Sequence, residues 1–198
     1  MSKAISIAKE FISLSYTDSV EVDPISNLRL HKLLYYAQAW SMIIRQQDLF
    51  MEDFQAWRHG PVIPELYKTI KSSENPSVII SNDFLKNTPD PLPDEKEFIK
   101  AVWDSYKTFS AIGLSKKTHD EDPWKKTRGG RPDSDIGNDI IDGNLIHEYF
   151  SKNQVPEPLE NYRKLLDESH ELAEKQLLAG PKLDVTKLLA AAKNRQLA

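Results

Sequence analysis

Five histidines, His31, His59, His119, His147 and His170, are the side chains with the widest chemical reach, and two of them stand near carboxylates. His119 runs directly into Asp120, Glu121 and Asp122. Acids suit hard cations and imidazole suits zinc. Consecutive residues in a turn point in different directions, however, so helix capping and solvation explain these acids better than a ligand set. No metal site and no cofactor is assigned. His59 leads into Gly60 and Pro61, with Glu65 close behind as a candidate base partner. Neither a Gly-x-Ser-x-Gly nucleophile turn nor a phosphate-cradling glycine loop accompanies them. The chain has no cysteine, which excludes a disulfide framework, a thiolate zinc site and a cysteine nucleophile. The favoured reading of this stretch is structural. Gly60 lets the backbone bend, Pro61 and Pro64 fix φ, and His59 hydrogen-bonds locally.

A second kind of chemistry is recognition. Tyr35, Tyr36, Trp40, Trp57, Tyr67 and Trp124 are candidate contact anchors, because buried aromatics dominate the energetics of interfaces. The alternative is that they are core. Trp40 lies on an apolar helical stripe and is assigned to the core. Tyr36 lies off the centre of that stripe and is expected to be reachable, whereas Trp57 and Trp124 stay open between the two roles. Arg58 and His59 join this candidate set, as does Tyr162 farther along. Lys116, Lys117, Lys125, Lys126, Arg128 and Arg131 form a basic cluster interrupted by the three acids. A solvated surface is the first reading, an acidic partner face the second and nucleic acid the third. The net charge of -4 supplies no global footprint for nucleic acid.

The elements that must position these residues are mostly helical. Ile5, Ala8, Ile12 and Tyr16 recur at helical spacing, so residues 3–15 form a first helix. Ser26 is a good N-cap for a second, carried by Leu30, Leu33, Leu34, Ala37, Trp40 and Ile44 through about residue 46. This is the strongest helix signal and is taken as the central core helix. Phe54–Arg58 suits a short strand, Gly60-Pro61 breaks the chain, and Pro64 with Glu65 opens a new helix. Residues 72–94 read as a loop with a candidate strand at Val78–Ile80. Phe98, Val102, Tyr106 and Phe109 mark another helix. Ser115 is a candidate cap, and Asp122-Pro123 a cap followed by proline at the first helical position. Residues 129–138 read as flexible. Ile140-Ile141 suits a small strand, and Asp142 a cap for the helix holding Leu145, Ile146, Tyr149 and Phe150.

Pro156 and Pro158 mark a boundary. Beyond it, Leu159, Tyr162, Leu166, Ser169, Ala173 and Leu177 give an amphipathic helix ended by Gly180-Pro181, and Asp184 is a candidate cap for a last one. The expected fold is therefore mainly α with small β elements: a helical domain over residues 1–155 around a central apolar helix, plus a C-terminal helical extension over 156–198. Hydrophobic content of 39% and charged content of 28% are near ordinary globular values. No apolar run approaches the roughly 20 residues that a bilayer requires, and the N-terminal stretch lacks a signal-peptide core. The cytoplasm is the expected location.

Three stretches together resemble a known family: Leu30-His-Lys-Leu-Leu-Tyr-Tyr-Ala-Gln-Ala-Trp40; Ala56-Trp-Arg-His-Gly-Pro-Val-Ile-Pro-Glu-Leu-Tyr67; and Thr118-His-Asp-Glu-Asp-Pro-Trp124, followed by Ile146-His-Glu-Tyr-Phe150. Their order and spacing are similar to the Panacea domain of SocA-like antitoxins, over roughly residues 5–150. The second stretch is the most specific. Ala39 stands where the family often has Gly, and Lys116-Lys117 where it often has Glu-Leu. The resemblance implies a non-enzymatic module that neutralises a cognate toxin by direct protein–protein contact, in a toxin–antitoxin or phage-defence setting. In one branch of the family it implies instead an adaptor that delivers the toxin to a protease. A rival reading is an enzyme that reverses the toxin's effect, using His59 with Glu65 or His119 with Asp122. A transcriptional autoregulator would need a helix-turn-helix with base-reading side chains, and none is evident. The C-terminal helices, outside the resemblance, are candidates for contact with the partner, with the chain's own domain or with a second copy of the chain.

Overall fold

The computed structural model describes residues 2–18, 25–73, 86–132 and 134–179. Their order is α1 (Ala4–Thr17), α2 (Asn27–Trp40), a π-helical turn (Ser41–Arg45), β1 (Gln55–Trp57), β2 (Gly60–Val62), α3 (Pro64–Ser73), α4 (Pro93–Tyr106), α5 (Ala111–His119), α6 (Asp122–Arg128), α7 (Gly143–Ser151) and α8 (Glu157–Ala179). The protein is thus mainly helical, with one antiparallel hairpin pairing Gln55 with Val62 and Trp57 with Gly60. The expected strand at Val78–Ile80 and the last helix from Asp184 lie outside the described residues.

α2 is the centre of the fold. Its N-cap is Ser26, whose Oγ accepts from the Arg29 N–H at 3.3 Å. Every residue of α2 except Leu28 is buried, because α1, α4, α5, α7 and β2 enclose it. A stripe would cover one face; this helix is covered all round. Its buried polar groups are put to structural use. Gln38 Oε1 accepts from the N–H groups of Leu49 and Phe50 at 2.9 and 3.3 Å, and its amide donates to Asp48 at 2.8 Å. Trp40, in the core as expected, donates from its indole to the Tyr106 hydroxyl at 2.7 Å. The α-helix ends at Trp40 rather than near residue 46. The chain continues as the π-helical turn and stops at Gln46, which takes φ +53°.

Several local expectations meet a neighbour that alters them. Ser115 is not a cap: α5 starts earlier, capped by Ser110, whose Oγ accepts from the Gly113 N–H at 3.1 Å. The Ser115 hydroxyl donates instead to the His59 carbonyl at 3.0 Å. In α6 the N-cap position is Glu121, so Asp122 and Pro123 fall in the first turn. Gly60-Pro61 is not only a break but the start of β2. Ile140 forms a single bridge to Gln55, and the Ile141 N–H donates to the Phe54 carbonyl at 2.8 Å. Phe109 lies past the end of α4 and is 40% exposed. Asp142 does cap α7, accepting from the Asn144 N–H at 2.8 Å.

The chain divides into two compact units, Met1–Tyr162 and Arg163–Ala198. α8 begins in the first, where Leu159 is fully buried and the Tyr162 ring lies 5.4 Å from that of Phe98. In the second unit α8 runs on to Ala179 with Leu165 and Leu172 exposed. No helix among the described residues is long and apolar enough to cross a membrane.

Candidate functional site

A cleft of about 270 Å³ opens in the first unit, where the N-terminal turns of α2 meet the hairpin. Asn27 and His31 line it from α2, Trp57, Arg58 and His59 from the hairpin, and Tyr67 from α3. Leu28, Val62 and Ile136 complete its apolar walls. A larger hollow of about 560 Å³, lined by Met42, Gln47 and His147 among others, holds none of the buried unpartnered polar side chains found among the described residues.

The hairpin is aimed by a set of buried contacts. Gly60 takes φ +96°, and a Cβ there would stand 2.5 Å from Thr118 Oγ1 and 2.7 Å from Lys32 Cε. Only glycine fits both the conformation and the space. Lys32, fully buried, donates from Nζ to the Pro61 carbonyl at 2.8 Å, and burial drives its pKa well below the usual lysine value. Trp57 packs edge-on against Tyr67, with ring centres 5.0 Å apart. The Trp124 indole donates to the Trp57 carbonyl at 2.8 Å, and the Trp124 ring stacks on His119 at 4.1 Å.

Arg128 fastens the opposite wall. It donates to the carbonyls of Ala56 (3.2 Å), Ile136 (3.0 Å), Pro132 (3.0 Å) and Asp135. It is 3% exposed, so this member of the basic cluster is a buried clamp and not part of a solvated surface. The Arg58 N–H donates to the Ile136 carbonyl at 2.8 Å, which seats Ile136 against the hairpin.

His31 forms the floor. Burial, with the adjacent Lys32, lowers its pKa to about 3, so the imidazole is neutral. Its Nδ1 accepts from the Ile63 N–H at 3.3 Å. The ring proton therefore sits on Nε2. That N–H has no partner, and neither do Nδ2 and Oδ1 of Asn27, which is 3% exposed. Asn27 and His31 are one helical turn apart on the same face of α2.

The sequence candidates separate accordingly. Trp57, Arg58, His59 and Tyr67 meet at the cleft, with Gly60, Pro61 and Pro64 building the turn beside it. Trp124 supports the hairpin from behind through its indole. Tyr162 packs on Phe98 and does not line the cleft. Tyr36 is a correction: it is fully buried, not reachable, because α2 is enclosed on all sides. Its hydroxyl donates to Glu121 Oε1 at 2.9 Å and its ring stacks on Tyr106 at 4.2 Å. Glu121, read from sequence as one of three solvated acids, is 3% exposed. Burial raises its pKa to about 7 against the opposing pull of the Tyr36 hydrogen bond and Lys117. Asp122 pairs with Lys126 at 3.2 Å, and no cluster of three potential metal ligands occurs among the described residues. Asn27 and His31 were missed as a pair. The available signal was two polar residues at i and i+4 at the start of the central helix.

Residues 30–125 match the family described as antitoxin SocA-like, Panacea domain. The chain is also 32% identical over 124 residues to Antitoxin SocA of Caulobacter vibrioides (strain NA1000 / CB15N), a match covering 58% of this chain and 65% of that protein's length. No solved structure shows a significant match. The matched span takes in most of α2, the hairpin, α3 and α5, hence His31, the cleft's aromatic wall and its support. Residues 30–125, just under half of the chain, are thus similar to the SocA-like Panacea domain.

Proposed function

We propose that the chain is an antitoxin that neutralises a cognate toxin by direct protein–protein binding, without turnover. The observation that carries this reading is the 32% identity to Antitoxin SocA. Supporting it, Trp57, Tyr67 and Arg58 converge on one cleft, and Trp, Tyr and Arg are the residue types that dominate interface hot spots. Occluding a toxin's active site or substrate route requires affinity and shape complementarity rather than bond chemistry. The test is a titration of purified protein against its cognate toxin, sought in the neighbouring open reading frame. Protection should become complete near a one-to-one molar ratio, and the two chains should co-purify. Full protection at a small fraction of the toxin's molar amount would overturn the reading in favour of turnover.

A further inference from the structure

We propose that the cleft between α2 and the hairpin captures a free C-terminal carboxylate on a chain that ends in an apolar residue. The inference rests on the reading of this protein as one that binds another protein, and it names the group that is bound.

Two side chains at the cleft carry buried polar groups that nothing satisfies. Such groups are rare in folded proteins, and each calls for a physical account. Here, three polar atoms from two adjacent side chains are buried without a partner, and both side chains line the same cleft: Nε2 of His31 and the two amide atoms of Asn27. His31 can only donate, because its Nδ1 is committed to Ile63. Asn27 can donate two further hydrogens. Both belong to the first turns of a 14-residue helix whose N-terminus carries partial positive charge and whose first turn contains no acid. The lining includes Arg58 and His59 and no aspartate or glutamate. The Nε2–H of His31, the Asn27 amide hydrogens, a positive helix end and a guanidinium all ask for an anionic acceptor, while the remaining orphan atom, Asn27 Oδ1, is an acceptor that the backbone N–H of a terminal residue can match.

The walls define the rest of the ligand. Trp57, Tyr67, Val62 and Ile136 are apolar surface close to the donors. A C-terminal residue carries its carboxylate and its side chain on one α-carbon, so a single residue supplies both halves of the complement. An internal acidic residue would place the apolar group on a neighbour, directed elsewhere. A volume of about 270 Å³ is at the small end of ligand clefts. It has room for a terminal residue but not for a helix or a paired strand. Capture of chain ends by clustered N–H donors is a recurring recognition mode.

The experiment uses the full chain and short N-acetylated peptides ending in Leu or Phe, each made as the free acid and as the carboxamide, with binding followed by calorimetry. The free acids should bind, and amidation should weaken them by about tenfold or more, the effect of losing one charge-assisted hydrogen bond. Arg58→Ala removes an exposed side chain at the cleft. Asn27→Asp sets a negative charge on the floor while suiting a helix N-terminus. Each should weaken the free acid by about tenfold, with the melting temperature unchanged in Arg58→Ala. Equal affinity for acid and amide, no binding of the acid up to about 1 mM, or wild-type affinity in both variants would overturn the proposal. So would equal binding by an amidated peptide with an internal Asp, which would assign the site to acidic side chains. Loss of the peptide result with equimolar toxin neutralisation intact would remove the chain-end assignment alone. Loss of neutralisation with peptide binding intact would remove the antitoxin reading alone.

Discussion

Gly60 holds a left-handed backbone at the point where Lys32 and Thr118 close over the hairpin. A side chain there meets both a conformational penalty and a collision. Gly60→Val should lower stability by about 1–3 kcal/mol in denaturant unfolding. His59→Ala, next door and exposed, should stay within about 0.5 kcal/mol, and equal effects of the two would refute the structural role of the glycine. Glu121 gives a pH prediction. Its carboxyl rises from 4.5 to about 7 on folding. Between those values the folded protein keeps a proton that the unfolded chain releases, so stability falls as pH rises through this window and levels off above it. At about 1.4 kcal/mol per unit, the loss is on the order of 3 kcal/mol. Glu121→Gln keeps an acceptor for the Tyr36 hydroxyl and removes the titration. Between pH 5 and pH 8 the variant's unfolding midpoint should change less than that of the unaltered protein; parallel curves would disprove the assignment.

The turn between α6 and α7 is held by Arg128, which satisfies three carbonyls within it and the Ala56 carbonyl of β1. Arg128→Ala should cost about 3 kcal/mol, since it leaves several buried acceptors unpaired at once. It should also open residues 129–138 to limited proteolysis, and an unchanged digestion pattern would show that the turn holds itself. Residues 129–138 read as flexible in sequence from their local composition, which carries no sign of the bonds that Arg128 makes to Pro132, Asp135 and Ile136. The same divide runs through the other elements. The start of α2 at Ser26, of α3 at Pro64 and of α7 at Asp142 was legible, because capping and proline geometry are settled within a turn of chain. The burial of Tyr36 and Glu121 was not. Each looked polar or peripheral in its own segment; Tyr36 is buried because neighbouring elements enclose α2, and Glu121, just before α6, is drawn into the same interior against the Tyr36 hydroxyl. Ser115 was the expected cap, but the His59 carbonyl takes up its hydroxyl and Ser110 caps the helix instead. Of the cleft, the hairpin side was legible as a cluster of unusual residue types. Its floor was not, since Asn27 and His31 draw notice only once their atoms are seen to lack partners.

Over the whole chain, the first compact unit ends at Tyr162, less than two turns into α8. A chain cut after Tyr162 should therefore melt like the full-length protein. A cut after Pro156 loses buried Leu159 and the Tyr162–Phe98 contact. It should be weaker by about 2–5 kcal/mol, the usual result of emptying a leucine site, and equal melting curves would rule this out. The longer fragment is also the right one for asking whether the C-terminal extension sets affinity for the proposed toxin partner, because a change in binding there is not confounded by damage to the core. The full enclosure of α2 has a kinetic consequence. A helix covered on every face cannot lose its hydrogen bonds by fraying or by the departure of one neighbour. Its central amides, from Leu33 to Ala37, should exchange with deuterium only through unfolding of the entire first unit, and so report its global free energy. Amides of α8 beyond Arg163, where Leu165 and Leu172 face solvent, should exchange orders of magnitude sooner, through openings that leave α2 untouched.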